Sequence, residues 1–195
     1  MVRRNNKTRS QAGRLRIVAG NWRSRLLEIA DVDGLRPTSE RIRETLFNWL
    51  APTLPGSRCL DLFAGTGALG LEALSRGADA VVLVERHPVA VRQLRKNVAA
   101  LGADDAEVVE RDALDFLRSG SPARFDIVFL DPPFAADLLD ETCRLLSQLH
   151  WLAESALVYI ELDRSAKQPE LPPGWTVRKN KTAGNVRYIL VATGT

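Results

Sequence analysis

From Ser57 onward, short apolar runs alternate with segments in which apolar residues recur every three or four positions. Short runs rich in Val, Ile and Leu are typical of buried strands, and the wider spacing is typical of amphipathic helices. The runs predict strands at 59–63, 81–85, 107–110, 125–130 and 156–162, with helices between them at 68–76, 88–101, 113–117 and 137–149. This alternation predicts an α/β fold with a doubly wound, mostly parallel, Rossmann-like sheet.

The C-terminal end breaks the alternation. Two further strands are predicted at 175–179 and 186–191, and the segment between them, which contains Gly184, is too short for a crossover helix. These two strands therefore form a hairpin, and the last strand runs antiparallel to its neighbour.

The N-terminal part predicts a small unit of its own. Extended stretches at 15–19 and 25–28 flank the turn-forming pair Gly20-Asn21, which indicates a hairpin. Pro37 then opens a helix, with Thr38 or Ser39 as the candidate N-cap. The predicted organisation is a disordered basic arm at 1–13, a hairpin–helix extension at 14–52 and a main domain at 53–195.

Composition narrows the class of protein. The 195 residues suffice for one domain with an appendage, and 45% hydrophobic and 26% charged residues are ordinary for a soluble globular chain. Neither a membrane-length apolar run nor the apolar core of a secretory signal occurs. Two cysteines and two histidines predict neither a disulfide framework nor a metal site. We expect a cytoplasmic protein without metal.

Charge is distributed unevenly. Residues 1–43 hold eleven Lys or Arg and four Asp or Glu, whereas residues 44–195 hold sixteen and twenty. Trp22 lies among Arg14, Arg16, Arg23 and Arg25, and cations beside an aromatic ring suit phosphates and a stacked base. This favours nucleic-acid contact over a basic segment that only keeps the chain soluble, and it does not separate RNA from DNA.

A glycine motif follows the first strand of the main domain. The stretch DLFAGTGALG at 61–70 contains G-x-G-x-x-G between a predicted strand and a predicted helix, and Glu85 closes the next strand twenty residues after Gly65. Glycines allow close backbone approach, and such an acid can bind both ribose hydroxyls of an adenosine. The sequence therefore predicts a nucleotide-like cofactor.

Two cofactors fit this motif, a dinucleotide and S-adenosylmethionine. Asp61 lies four residues before Gly65, where it would repel a diphosphate but could pair with the ammonium of a methionine moiety. The antiparallel C-terminal hairpin also differs from an all-parallel dinucleotide sheet. Both features favour S-adenosylmethionine. Asp112, after the third strand, could accept from the adenine amino group, cap the following helix, or do both.

The fourth strand of the main domain ends at Asp131-Pro132-Pro133-Phe134. Two prolines remove two N–H donors, so this loop offers acceptors: the Asp131 carboxylate and backbone carbonyls. Such a loop suits a substrate that donates from an NH2 group, and Phe134 offers a face for a flat base. A stiff strand-to-helix turn is the alternative interpretation.

Residues 61–70 and 131–134 together resemble a class I S-adenosylmethionine-dependent methyltransferase that modifies an exocyclic amino nitrogen. A narrower resemblance rests on RIVAGNWRSR at 16–25, RPT at 36–38 and RIRETLFN at 41–48. These stretches are similar to the bacterial family that methylates N2 of a guanine in small-subunit (16S) ribosomal RNA. The similarity extends from about residue 16 through the hairpin at 184–188.

The resemblance implies a seven-stranded fold, S-adenosylmethionine as cofactor and ribosomal RNA as substrate. Candidate cofactor-binding residues are Thr38, Asp61, Phe63, Ala64, Gly65, Gly67, Glu85, Arg86, Asp112 and Ala113. Candidate catalytic residues are Asp131, Pro132 and Phe134. Candidate RNA contacts are Arg14, Arg16, Trp22, Arg23, Arg25 and Arg36. For Thr38 and Arg36 the alternatives are helix capping and plain surface exposure. The expected partner is an assembled or assembling small ribosomal subunit, bound by a monomer.

Three other functions would use some of the same features. A DNA adenine-N6 methyltransferase would share the Asp131 loop, but little chain is left to recognise a duplex sequence. A non-catalytic RNA-binding factor in ribosome assembly would not need Asp61, Glu85 and Asp131 together. An NAD-dependent oxidoreductase is disfavoured by Asp61 and by the C-terminal hairpin.

Overall fold

The computed structural model describes residues 13–120, 123–133 and 138–194. Strands β1 (Arg14–Arg16) and β2 (Leu26–Glu28) form the predicted antiparallel hairpin, and helix α1 (Glu40–Leu50) follows them. Ser39 caps α1, because its Oγ accepts the Ile42 N–H at 3.3 Å. The arm predicted at 1–13 lies, apart from its last residue, outside the described residues.

The main domain contains the remaining elements: β3 (Arg58–Asp61), α2 (Ala68–Ser75), β4 (Ala80–Glu85), α3 (Pro88–Leu101), β5 (Ala106–Glu110), α4 (Ala113–Arg118), β6 (Phe125–Leu130), α5 (Leu139–Gln148), β7 (Leu152–Asp163), β8 (Trp175–Ala183) and β9 (Val186–Thr193). Seven strands form one sheet in the order β5-β4-β3-β6-β7-β9-β8. Neighbours from β5 to β7 are parallel, and β9 is antiparallel to both β7 and β8. The predicted fold class is confirmed.

The C-terminal hairpin is longer than the sequence pattern predicts. Strand β8 extends to Ala183 instead of ending at 179, so Gly184 and Asn185 alone connect it to β9. Of the added residues, Asn180, Lys181 and Thr182 are polar and exposed, and Ala183 is half-buried. Pairing with β9, rather than an apolar alternation, sets the length of this strand.

Helices cover both faces of the sheet. Residues of α1, α2 and α3 pack with the N-terminal hairpin in one hydrophobic cluster, and residues of α4 and α5 pack in a second cluster on the other face. The buried strands therefore have apolar side chains on both faces, as parallel strands between helices require. Among the described residues, no helix combines the length and the apolar character of a membrane-spanning segment.

The chain order of the strands creates a crevice. From β3 the chain proceeds outward to β4 and β5 and then returns to β6 on the other side of β3. The connections therefore leave β3 and β6 in opposite directions, and ligands of open α/β sheets bind at such a switch point. Asp61 is the last residue of β3, and Asp131 directly follows β6.

A buried ion pair joins the N-terminal unit to the main domain. Glu72 of α2 is fully buried and accepts from the Arg43 guanidinium at 2.8 Å and from the backbone N–H groups of Val18 and Ala19 at 2.8 and 3.0 Å. Arg76 donates to the same carboxylate at 2.8 Å. The two units thus share a core and a polar network, and their division at 52/53 stays a prediction.

Candidate active site

A cavity of about 690 Å³ opens at the carboxyl ends of β3, β4 and β6. Its walls come from the glycine loop, from the ends of β4 and β5, and from the segment after β6. Residues 34–39 of the N-terminal unit and the tip of the β8–β9 hairpin also line it. A cavity of this size accommodates a ligand as large as a nucleoside derivative.

Asp61 is buried at the base of the cavity. Its Oδ2 accepts the Gly70 N–H at 3.0 Å, and Gly70 has no space for a side chain, because a Cβ there would lie 2.3 Å from the Leu83 side chain. The pKa of Asp61 is raised to about 7, mainly by burial and also by the charges of Asp131 and Glu85, and the hydrogen bond from Gly70 opposes the shift. A buried carboxylate of this kind gains most from a cationic ligand.

Glu85 fixes the glycine loop. Its Oε2 accepts the Gly65 N–H at 3.0 Å, and its Oε1 accepts the His87 N–H at 2.7 Å. Each oxygen retains a lone pair for a ligand hydroxyl. Phe63, Ala64 and Gly65 line the cavity.

Gly67 is the N-cap of α2 at φ +79°, and a Cβ there would lie 2.7 Å from Leu94. It is not one of the cavity-lining residues. Its place in the motif is therefore to shape the loop.

Asp112 caps helix α4, since its Oδ1 accepts the N–H groups of Leu114 and Asp115 at 2.9 and 3.3 Å. It also lines the cavity, as do Arg86 and Ala113, and its other oxygen lies 3.9 Å from the Arg86 guanidinium. The capping role is thus confirmed, while a contact to the cofactor stays a prediction.

Asp131 and Thr38 are in contact at the wall of the cavity. The Thr38 hydroxyl donates to Asp131 Oδ2 at 3.3 Å, so Thr38 belongs to the site and Ser39 is the helix cap. Pro132 and Pro133 also line the cavity, and neither has an N–H group. Burial raises the pKa of Asp131, and the Thr38 hydrogen bond opposes the shift. Phe134 lies outside the described residues.

Glu161 is a site residue that the sequence analysis missed. It lies on β7, lines the cavity, is buried, and accepts the Tyr159 hydroxyl at 2.8 Å. Burial raises the pKa of Glu161, and the charge of Asp131 raises it further. The sequence feature that could have revealed Glu161 is an acid inside the apolar run VYIEL, close to the carboxyl end of a predicted strand.

The predicted RNA contacts lie mainly outside the cavity. Arg36 is exposed at its rim, and the other predicted cations are exposed on the N-terminal unit, namely Arg14, Arg16, Arg23 and Arg25. Arg25 donates to the Ala100 carbonyl at 2.9 Å, where α3 ends. Trp22 is half-buried and packs against the core, so less of its ring is open for stacking than the sequence suggested. These contacts stay predictions.

The side chains that line the cavity fit S-adenosylmethionine. Asp61 suits the ammonium, Glu85 suits the ribose hydroxyls, and the buried carboxylates favour a ligand of positive charge. A dinucleotide would have to bring its diphosphate close to Asp61, which opposes its binding. In the part of the chain that the structure describes, no group of three or more His, Cys, Asp or Glu is placed to hold a metal ion.

Sheet order and cavity chemistry place the chain among the class I S-adenosylmethionine-dependent methyltransferases. Comparison with known proteins narrows this class: the family model described as "Conserved hypothetical protein 95" matches residues 15–192, and the chain belongs to that family.

Relatives of known name cover nearly the whole chain. It is 49% identical over 182 residues to "Ribosomal RNA small subunit methyltransferase D" of Escherichia coli (strain K12), with 93% of this chain and 91% of that protein covered. The Haemophilus influenzae protein of the same name is 44% identical over 187 residues, covering 94% and 96%. A solved structure of the Escherichia coli protein yhhF has a TM-score of 0.87 and 45% identity, covering 93% of this chain and 99% of that one.

Proposed function

We propose that this enzyme transfers a methyl group from S-adenosylmethionine to the exocyclic N2 of a guanosine in small-subunit ribosomal RNA. One observation carries the proposal: the acceptor-only loop at Asp131 opens into the same cavity as Asp61 and Glu85. The name of the Escherichia coli relative supports small-subunit ribosomal RNA as the substrate.

One end of the cavity would bind and orient the cofactor. Asp61 would hold the ammonium, Glu85 the ribose hydroxyls and Asp112 the adenine amino group. When bound, S-adenosylmethionine supplies a methyl group already activated by its sulfonium. The protein must therefore mainly align the substrate nitrogen with that methyl group.

The substrate end must make a poor nucleophile reactive. The lone pair of an aryl amine is delocalised into the ring. We therefore assign the Asp131 carboxylate and the Pro132 carbonyl to accept the hydrogen bonds that its two N–H groups donate. Held in this way, the amine turns its lone pair toward the methyl group. Asp131 also stabilises the positive charge that develops on nitrogen and accepts the proton it releases.

Guanosine must leave its stack to enter the cavity, because the reacting nitrogen has to reach Asp131. We assign Phe134 to hold the flipped base and the exposed arginines of the N-terminal unit to bind the flanking phosphates. A compact protein offers little surface for recognising a sequence, so a folded, protein-coated small subunit is the preferred substrate form.

Cofactor affinity will depend on pH through Asp61. In the free protein burial raises the pKa of Asp61 to about 7, so this carboxyl is mostly protonated below pH 6 and must lose its proton to bind an ammonium. The α-amino group of the ligand stays charged in this range, since such groups have pKa values near 8. We expect the dissociation constant, measured by calorimetry, to rise up to about tenfold per pH unit as the pH falls from 7 to 5.

The Asp61→Asn variant is the control for this pH profile. It should bind the cofactor weakly, with a flatter dependence on pH. A wild-type dissociation constant that stays constant from pH 5 to 7 would exclude an ionised Asp61 as the ammonium partner.

The substrate is tested by methyl transfer from labelled cofactor to small subunits that lack the modification, to free 16S rRNA and to duplex DNA. Nucleoside analysis of the product should yield N2-methylguanosine from RNA. Labelled N6-methyladenine in DNA would support the DNA methyltransferase instead. Cofactor binding without transfer to any nucleic acid would favour the non-catalytic factor.

A further inference from the structure

The β8–β9 hairpin concentrates positive charge on an otherwise acidic main domain. Residues 175–187 hold four cations, Arg178, Lys179, Lys181 and Arg187, and no Asp or Glu. The rest of the main domain and the end of α1, counted over 44–174 and 188–195, hold twelve Lys or Arg against twenty Asp or Glu. The hairpin is thus a second basic region, separate from the N-terminal unit.

The charges of this hairpin are not neutralised by the protein. Arg178, Lys179 and Lys181 are exposed, and within the described ranges none of the four cations forms an ion pair. Arg187 donates to Asn180 at 3.2 Å and to Gln168 at 3.0 Å, and both acceptors are neutral amides. Free cations of this kind are available to replace counterions on a polyanion.

Strand geometry aligns two of these cations with the cavity. Ala183 lines the cavity, and Lys181 and Lys179 follow at every second residue of β8, on the same strand face. At about 3.3 Å per residue they stand roughly 7 and 13 Å from Ala183 along the strand. A row of cations therefore leads away from the mouth of the cavity.

Two local features shape this part of the hairpin. The Lys181 ammonium lies 5.8 Å from the centroid of the Trp49 ring, which itself stacks on Tyr188 at 5.5 Å. A bulge between Val177 and Lys179 leaves Arg178 as the extra residue of β8. Bulges redirect side chains and are common beside functional sites.

We propose that the β8–β9 hairpin is a second RNA-docking surface, which binds backbone phosphates of the strand that inserts its base into the cavity. The inference rests on the proposed function for the nature of its partner. The N-terminal cations and the hairpin then contact substrate RNA on different sides of the cavity mouth, and both contribute to its affinity.

Lysines on an exposed edge strand also prevent sheets from pairing edge to edge. That role alone would require no RNA contact. The two roles differ in what is lost on substitution: phosphate binding changes RNA affinity and its dependence on salt, whereas edge protection changes the association state of the protein.

The test compares a hairpin variant, Arg178→Gln with Lys179→Gln and Lys181→Gln, with a control variant, Arg58→Gln with Arg124→Gln. Arg58 and Arg124 are exposed at the amino ends of β3 and β6, on the edge of the sheet opposite the cavity. Binding of a fluorescent 16S rRNA fragment is titrated at several salt concentrations. Cofactor calorimetry and circular dichroism confirm that each variant is folded.

For the hairpin variant we expect RNA affinity to fall roughly tenfold or more at 0.1 M salt, and the slope of log K against log salt to become shallower by about 2. The control variant should remain within about threefold of wild type. The proposal would be overturned if wild type and the hairpin variant bound RNA with equal affinity and equal slope. Self-association of the variant with unchanged RNA binding would also overturn it, as would an absence of RNA binding by wild type. A further outcome separates the two proposals. If wild type binds RNA, the hairpin variant does not, and neither transfers a methyl group, the proposed function is refuted but the docking surface is supported.

Discussion

Replacing Asp131 with alanine will lower the rate of methyl transfer by about 10²–10⁴-fold while cofactor affinity stays within about threefold of wild type. The variant loses the carboxylate that accepts from the amine and stabilises the charge developing on nitrogen. Cofactor affinity survives because Asp61 and Glu85 remain.

The Asp131 variant should also remain folded. Burial raises the pKa of Asp131 above its unfolded value, so its ionisation costs stability increasingly as the pH rises from about 4 through the folded pKa. Removing the carboxyl group removes that cost. We expect a melting temperature at pH 7.5 no lower than that of wild type.

The matched control is Asp126→Asn, a carboxylate at the opposite end of β6 whose Oδ2 accepts the Arg58 N–H at 2.8 Å. Asp131→Asn keeps one acceptor oxygen and loses the charge, so its rate should fall between those of Asp131→Ala and wild type. Single-turnover rates with saturating cofactor and RNA provide the measurement. Near-wild-type turnover by Asp131→Ala would remove this carboxylate from the mechanism.

The second large effect is on stability. Replacing Glu72 with alanine should lower the free energy of unfolding by about 3–5 kcal/mol, because it leaves the buried Arg43 guanidinium without a counter-charge. The same change removes the acceptor for the backbone N–H groups of Val18 and Ala19. Urea denaturation at pH 7 measures the loss.

Two further variants serve as controls for Glu72→Ala. Glu107→Ala removes an exposed carboxylate of β5 and should change the stability by no more than about 0.5 kcal/mol. Glu72→Leu combined with Arg43→Met removes both charges and should be less destabilised than Glu72→Ala. A loss below about 1 kcal/mol for Glu72→Ala would show that the N-terminal unit is held mainly by apolar packing.

The strand pattern predicted the sheet because parallel strands packed between helices are apolar on both faces. The same logic located Asp61 and Asp131, since both stand where an apolar run ends. It could not set the length of β8, because Asn180, Lys181 and Thr182 are polar and exposed and only Ala183 at the end of the strand is half-buried. Hydrophobic patterning carries no information about a strand segment whose side chains are mostly exposed.

The main features that the sequence analysis did not predict are the long-range polar contacts. Arg43 and Glu72 are 29 positions apart and join two elements whose packing the sequence did not predict. The only available signal was an acid within the apolar helix sequence ALGLEALS. Glu161 gave the same kind of signal within VYIEL. A charged residue inside an otherwise apolar element thus indicated a buried partner in both cases.

The central claim is that the Asp131 loop grips an exocyclic NH2 group beside the cofactor. Inosine is guanosine without that amino group, so it can replace the modified guanosine in an RNA fragment without changing the rest of the strand. The measurement is methyl transfer from labelled cofactor to the paired guanosine and inosine fragments, with RNA binding followed in parallel. We predict full transfer to guanosine, and no transfer to inosine although that fragment still binds. Methylation of the inosine fragment at the substituted base would contradict the account.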